Sequence, residues 1–219
     1  MSGQEVENER QLVAQRKLLE NGIDQLGLSL PPGGIDKLLD YVALLARWNQ
    51  AYNLTAIRDP EQMITHHLLD SLAITKFIKG PKVLDMGTGP GLPGIPLAIA
   101  LPDISFVLLD SNGKKTRFLV QAKSALALDN IEVVHSRVED YQPDTVFDTI
   151  TARAFASLET MVGRSHHLCA PGGRYVLMKG RMPKDELGAV PGDFVVQDTV
   201  VLRVPGVDGE RHLIIIAPR

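Results

Sequence analysis

Apolar residues along the chain follow two rhythms. Leu38, Tyr41, Val42, Leu45 and Trp48 recur at three- and four-residue steps, which predicts a helix over Ile35–Tyr52 with one buried face. Residues 5–26 are rich in Glu, Gln, Arg and Leu without strand alternation, and predict a helix before it. Leu30-Pro31-Pro32-Gly33-Gly34 breaks the chain between the two. Asp59-Pro60-Glu61 reads as a helix start, with Asp as N-cap, Pro at the first helical position and Glu in the first turn. That third helix is expected to run to Phe77 and to bury Ile64, Leu68, Leu72 and Ile74.

From Lys82 the rhythm changes to short β-rich runs alternating with helical stretches. Strands are predicted at Lys82–Met86, Ser105–Leu109, Ile131–Val134, Phe147–Thr151 and Arg174–Lys179, the last after a turn at Ala170-Pro171-Gly172-Gly173. Helices are predicted at Leu92–Ala100, Lys114–Leu128 and Leu158–Leu168. Such alternation implies right-handed βαβ units and a mostly parallel sheet covered on both faces. The tail differs. Phe194–Val204 and Arg211–Ala217, joined by Pro205–Glu210, are too close in sequence to pair in parallel and form a hairpin. The expected fold is therefore α/β: a doubly wound, mostly parallel, Rossmann-like sheet closed by an antiparallel C-terminal hairpin. Residues 1–80 form an N-terminal helical extension, and residues 81–219 a cofactor-binding domain.

Composition narrows the setting. The 219 residues suffice for one domain with a buried core plus a modest extension, and 44% hydrophobic with 22% charged residues is ordinary for a soluble protein. No apolar run approaches the roughly 18 residues that span a membrane. The polar start MSGQEVENERQ has no apolar segment of a secretory signal. Cys169 is the only cysteine, so an intrachain disulfide is excluded and a reducing, cytoplasmic location is expected. A net charge of −3 argues against coating nucleic acid by a bulk field, but leaves room for local patches. Lys114, Lys115, Arg117 and Lys123 form one basic run, and Lys179, Arg181 and Lys184 another; a solvated helix or loop face is the plain alternative for each.

The central chemistry lies in Val83-Leu84-Asp85-Met86-Gly87-Thr88-Gly89-Pro90-Gly91, where the first strand meets its helix at the carboxyl edge of the sheet. Glycines Gly87 and Gly89 let backbone approach a ligand and adopt positive φ. Asp85, just before the turn, can accept from an ammonium group, which suits the amino acid half of S-adenosyl-L-methionine. A competitor exists: Gly89-Pro90-Gly91-Leu92-Pro93-Gly94 matches the dinucleotide fingerprint. It starts two residues too late, holds two prolines, and places Asp85 where a pyrophosphate would be repelled. A nicotinamide-dependent oxidoreductase is thus the rival reading, and a purely structural turn the plain one. Asp110 ends the second strand, where both cofactor classes need an acid for ribose hydroxyls. Val138 and Glu139 follow the third, where an adenine would lie; Glu139 as a plain exposed loop acid is the alternative.

The fourth strand leads into Thr151-Ala152-Arg153-Ala154-Phe155, the edge that faces the transferred methyl in such an arrangement. No Asn-Pro-Pro-Tyr or Asp-Pro-Pro-Tyr is present, and no cysteine stands nearby for covalent catalysis at pyrimidine C5. The forked cation Arg153 suits a carboxylate, a phosphate, or the O6 and N7 edge of guanine; a structural salt bridge is its plain reading. Guanine N7 has an in-plane lone pair and needs alignment rather than a general base. Lys179, at the end of strand five, and Arg211, opening the last strand, are the other candidate cations at this edge. Asn53 and Thr55 read as caps, Trp48 as core and His66 as a surface histidine. His166-His167 lacks a paired ligand set, so no metal site is expected.

Together these residues resemble the glucose-inhibited division protein B family, the 16S ribosomal RNA guanine-N7 methyltransferases, over nearly the whole chain from Leu38. The resemblance rests on Arg47-Trp48-Asn49, Asn53-Leu54-Thr55, His66, Asp70-Ser71 and the run Asp85 to Gly94. It continues in Ser136-Arg137-Val138-Glu139, Ala152-Arg153-Ala154-Phe155 and Gly209-Glu210-Arg211-His212. It implies a class I methyltransferase fold with cofactor contacts at Gly87, Leu92, Val138, Glu139 and Arg153. Many relatives carry phenylalanine where Leu92 stands, so a backbone contact there survives and a stacking role does not. The expected partner is 16S ribosomal RNA or the small ribosomal subunit, with no DNA and no membrane, and the chain acting as a monomer. A non-catalytic ribosome-binding factor that keeps the fold is the alternative of another class.

Overall fold

The computed structural model describes residues 3–153 and 156–219. Helices α1 (Gly3–Leu26) and α2 (Gly34–Tyr52) form where predicted. Leu38, Tyr41, Val42 and Leu45 face inward, Trp48 is half-buried, and Asn53 ends α2 in the left-handed region at φ 48°. Asp59 caps the third helix by accepting from the Glu61 amide. That helix is not uniform. A short α3 (Pro60–Met63) passes into a π-turn (Ile64–Leu69), then α4 (Asp70–Leu72) and a 3-10 turn at Thr75–Phe77. The four-residue spacing of Ile64, Leu68 and Leu72 fits an α-helix equally well, which is why the apolar rhythm did not reveal the wider turn.

Seven strands form one sheet: β1 (Lys82–Met86), β2 (Ser105–Asp110), β3 (Ile131–His135), β4 (Phe147–Arg153), β5 (Cys169–Lys179), β6 (Phe194–Val201) and β7 (His212–Pro218). Their order is β3-β2-β1-β4-β5-β7-β6. The first five are parallel, and β7 enters antiparallel between β5 and β6. The helices between them are α5 (Gly94–Ala100), α6 (Gly113–Ala125), α7 (Leu158–Ser165) and α8 (Lys184–Leu187). Three local expectations change. The helix after the glycine loop starts at Gly94 rather than Leu92, because the Gly94 amide is taken by Asp85. The turn Ala170–Gly173 lies inside β5 as an irregularity, the register jumping from Phe147↔Cys169 to Thr149↔Arg174. Helix α8 lay in a stretch with no predicted element.

One face of the sheet and the N-terminal helices share a single hydrophobic cluster, which joins Leu38, Tyr41 and Leu45 to Ile95, Phe118 and Val176. The other face packs Leu84, Ile150 and Tyr175 against Met161 and Val162 of α7. The N-terminal helices, from Leu18 onward, are thus part of the helical layer over the sheet. The Tyr41 hydroxyl donates to the Pro90 carbonyl at 2.9 Å, fastening α2 to the glycine loop.

Candidate active site

Strand ends set the first half of the site. Beyond β1 the chain turns at Gly87 (φ 65°) and Gly89 (φ 62°), conformations that L side chains rarely adopt. The Thr88 amide bonds the Leu109 carbonyl at 3.1 Å, pinning the loop to β2. Asp85 organises it from below: one carboxylate oxygen accepts from the Thr88 hydroxyl at 2.5 Å and from the Gly94 amide at 2.7 Å. The other oxygen is buried without a hydrogen-bond partner. Burial pushes this carboxyl up to about 7, against the pull of those hydrogen bonds and of Arg153. Asp110 accepts from the Gly89 amide at 2.9 Å and from the Asn112 amide at 2.8 Å, with the Lys115 ammonium 3.8 Å away. Above them is a cavity of about 300 Å³ lined by Gly87, Asp110, Asn112, Val138, Glu139 and Arg164. Val138 is buried, while Glu139 is exposed and pairs with Arg164 at 3.8 Å. Leu92 lies in the core at 3% exposure, its amide bonded to the Thr88 carbonyl.

A second cavity of about 320 Å³ opens on the same carboxyl edge, among Ile57, His66, His67, Asp70, Arg153 and Arg211. Its centre is Asp70, 6% exposed at the side chain. One carboxylate oxygen accepts from Arg211 Nε at 3.1 Å and the other from Arg153 Nη1 at 3.5 Å. Burial pushes the Asp70 carboxyl up from the usual range, and the two guanidiniums oppose that. The π-turn explains how Arg153 is held. The Asp70 amide reaches back five residues to the Thr65 carbonyl, and the His66 carbonyl accepts from Arg153 Nη1 at 3.0 Å. Both terminal nitrogens of Arg153 also stand 3.5 Å from His67 Nδ1. A guanidinium only donates, so Nδ1 is the acceptor and Nε2 carries the proton. Nε2 then donates to the Thr55 hydroxyl oxygen at 2.9 Å. Thr55 is placed by Asn49, whose side-chain oxygen accepts from the Thr55 amide at 2.9 Å. Burial and the nearby Arg153 push His67 down to about 4, so the ring is neutral at physiological pH.

The structure therefore gathers Gly87, Asp110, Val138 and Glu139 at one cavity, and Arg153, Lys179 and Arg211 at the other. Asp85 and Gly89 do not line the first cavity but are tied to its loop by hydrogen bonds, Asp85 being fully buried; Leu92 lines neither cavity, and Arg153, expected at the cofactor, lines only the second. Arg211 reaches Asp70 because the hairpin connection packs on the π-turn: a Cβ on Gly206 would stand 2.8 Å from the Thr65 methyl. Lys179 is not a free cation. Its ammonium pairs with Glu186 at 2.9 Å and donates to the Ala156 carbonyl at 2.7 Å. Ala154 and Phe155, named in the sequence motif, lie outside the described residues. Thr55 is no helix cap but the partner of His67, and the roles of Asn49, His67 and Asp70 went unread. The signal was the pair Arg47-Trp48-Asn49 and Asn53-Leu54-Thr55, which matched no general cofactor motif. His166 and His167 bond the Gly163 and Tyr141 carbonyls.

Sheet order β3-β2-β1-β4-β5-β7-β6 with a glycine loop after β1 defines a class I methyltransferase fold. Solved structures agree. The glycopeptide N-methyltransferase MtfA complexed with S-adenosyl-L-homocysteine matches with TM-score 0.60 at 10% identity, over 70% of this chain and 87% of that one. TrmN from Thermus thermophilus matches with TM-score 0.55 at 20% identity, over 78% of this chain and 53% of that one. The family model for GidB, rRNA small subunit methyltransferase G, matches residues 34–214, and the chain belongs to that family. Ribosomal RNA small subunit methyltransferase G of Pseudomonas syringae pv. syringae is 51% identical over 90% of this chain and 92% of its own. That of Nitrosococcus oceani is 52% identical over 92% and 94%. No helix among the described residues is long and apolar enough to cross a membrane.

Proposed function

We propose that this protein transfers the methyl group of S-adenosyl-L-methionine to N7 of a guanine in 16S ribosomal RNA of the small ribosomal subunit, in the cytoplasm. The observation that carries the reading is the pairing of two cavities along one sheet edge, a backbone-lined one at the glycine loop and a guanidinium-lined one at Asp70. The residues fit the cofactor. The unpartnered oxygen of Asp85 suits an ammonium, Gly87 offers bare backbone, Asp110 retains lone pairs for ribose hydroxyls, and Val138 with Glu139 borders the adenine side. When bound, the cofactor supplies an electrophilic methyl on a sulfonium.

The chain's own residues then have to orient a base and exclude water. Arg153 and Arg211 present forked donors of the kind that pair with guanine O6 or with a phosphate, contacts that leave the N7 lone pair free. Asp70 fixes the two guanidiniums relative to one another, and neutral His67 adds no charge to them. The only carboxylate lining this cavity among the described residues is thus held between two arginines. Attack by an N7 lone pair needs no carboxylate base, only alignment. Incubation with labelled cofactor and undermethylated small subunits, followed by mapping of the label, tests the reading. Label at one guanine N7 of 16S RNA is expected; label on protein, on another atom, or nowhere would overturn it.

A further inference from the structure

The chain is net acidic, yet several of its stretches contain no acid at all, among them two that meet in the fold. Residues 41–58 carry Arg47 and Arg58, and residues 111–128 carry Lys114, Lys115, Arg117 and Lys123. The fold places these stretches side by side. Lys37 Nζ, in the first turn of α2, donates to the Ala127 carbonyl just past the end of α6. Further along, Trp48 meets Phe118 edge-on, with ring centroids 5.7 Å apart. Helix α2 therefore runs antiparallel to α6, and its last turn lies beside the first turn of α6. That end is the cofactor end, since Tyr41 is fastened to Pro90 and α6 follows directly from Asp110.

At this end Trp48 stacks on Tyr52, with centroids 5.2 Å apart and planes 29° from parallel. Trp48 is half-buried, so one face of the Tyr52 ring is backed by protein, while Tyr52 itself remains 43% exposed. Beyond it, Arg58 is exposed and braced by the Asn53 side-chain oxygen at 3.0 Å. Ile57, next to it, lines the cavity that holds Arg153. Lys114 and Arg117 are exposed on the facing turns of α6, whereas Lys115 already faces Asp110.

We propose that Tyr52 is a stacking platform for an unpaired RNA base flanking the methylated guanine, and that Arg58, Lys114 and Arg117 hold the phosphates around it. This rests on the reading that RNA is the substrate. A ring already backed by Trp48 loses little freedom when a base lies on its open face, and stacking accepts any base. The cations supply phosphate contacts that a chain of net charge −3 lacks elsewhere as a bulk field.

Trp48 is the only tryptophan, so its emission reports directly on this platform. Titration with short single-stranded oligouridine is expected to change that emission saturably, and binding weakens as salt rises. Tyr52→Ala weakens oligouridine binding by about tenfold, while Tyr52→Phe keeps it within about twofold. Lys114→Glu with Arg117→Glu weakens it and flattens the salt dependence. Both Tyr52 variants bind S-adenosylhomocysteine like the parent, which shows that they are folded. On undermethylated small subunits Tyr52→Ala raises KM and leaves kcat in place. An active parent whose Tyr52→Ala variant binds oligouridine and methylates subunits unchanged overturns the platform alone. A raised KM on subunits with unchanged oligouridine binding assigns the surface to a ribosomal protein and also overturns it. A parent that labels no subunit overturns the reaction, and the platform with it.

Discussion

The two cavities on the sheet edge are built by different means. The one beside β1, β2 and β3 is mostly backbone: glycines at positive φ, amides held by Asp85 and Asp110, and one short loop per strand end. The one beside β4, β5 and β7 is side chains brought from afar. Asp70 meets Arg153 and Arg211 across 83 and 141 residues of chain. On the proposed reading the first cavity serves the cofactor and the second the target, so changes in one should leave the other's ligand in place.

The sharpest way to break that division is Gly87→Val. A β-branched residue at φ 65° is strained, and its side chain stands where the ligand needs bare backbone. Calorimetry with S-adenosylhomocysteine should detect no binding, while circular dichroism shows a folded chain. Tight binding by the folded variant would remove the loop from the cofactor site.

Next in size is Asp70→Asn, which should divide the two halves cleanly. Removing one partner of a buried ion pair costs roughly 3–5 kcal/mol. Here the arginine side chains are 22% and 25% exposed, so a stability loss of about 2 kcal/mol is expected. Methyl transfer should fall by about a hundredfold as Arg153 and Arg211 drift apart, with S-adenosylhomocysteine affinity within about threefold of the parent. The reverse pattern, lost affinity with intact turnover at saturation, would assign Asp70 to the cofactor half.

The same contrast explains what could be read from sequence. The glycine loop was legible because its constraint is local: strand, acid, glycines and helix occur within a dozen residues, and each choice has one backbone reason. Arg153 was legible from its place at a strand end. The Asp70 cluster was not, because nothing local announces that His66 will offer its carbonyl or that a π-turn replaces an α-turn. The pairing of Lys179 was hidden for a related reason. Its partner Glu186 sits only seven residues on, but on the short helix α8, which had no apolar rhythm to predict it.

A third experiment uses protons. Burial raises Asp85 from 3.8 to about 7 in the folded chain. The folded protein thus keeps a proton that the unfolded chain has lost, so this group's contribution to stability is most favourable below about pH 4 and declines toward pH 7, by up to about 1.4 kcal/mol per unit. An ammonium ligand needs the charged form, so S-adenosylhomocysteine affinity should rise up to about tenfold per unit toward pH 7 and then level off. Asp85→Asn should flatten both curves. A parent affinity that is constant between about pH 5 and 8 would separate Asp85 from the ligand ammonium.

The smallest expected effect tests the relay that joins the N-terminal helices to Arg153. Thr55 Oγ1 accepts from the Ile57 amide at 3.2 Å and from His67 Nε2 at 2.9 Å, and so keeps Nδ1 bare toward the guanidinium. Thr55→Val keeps the shape and removes the acceptor. Two N–H groups then lack a partner, a loss of about 1 kcal/mol in stability, and the imidazole is free to take the other tautomer, which turns an N–H toward Arg153. Arg153 still has Asp70 and the His66 carbonyl, so the guanidinium shifts rather than leaves. The expected result is a kcat about fivefold lower, with unchanged affinity for S-adenosylhomocysteine and unchanged KM for the subunit. Thr55→Ser, which restores the hydroxyl without the methyl, should recover kcat. A Thr55→Val protein with parental kcat, or a Thr55→Ser protein as slow as Thr55→Val, would show that Thr55 only packs, and that the tautomer of His67 is set by Arg153 itself.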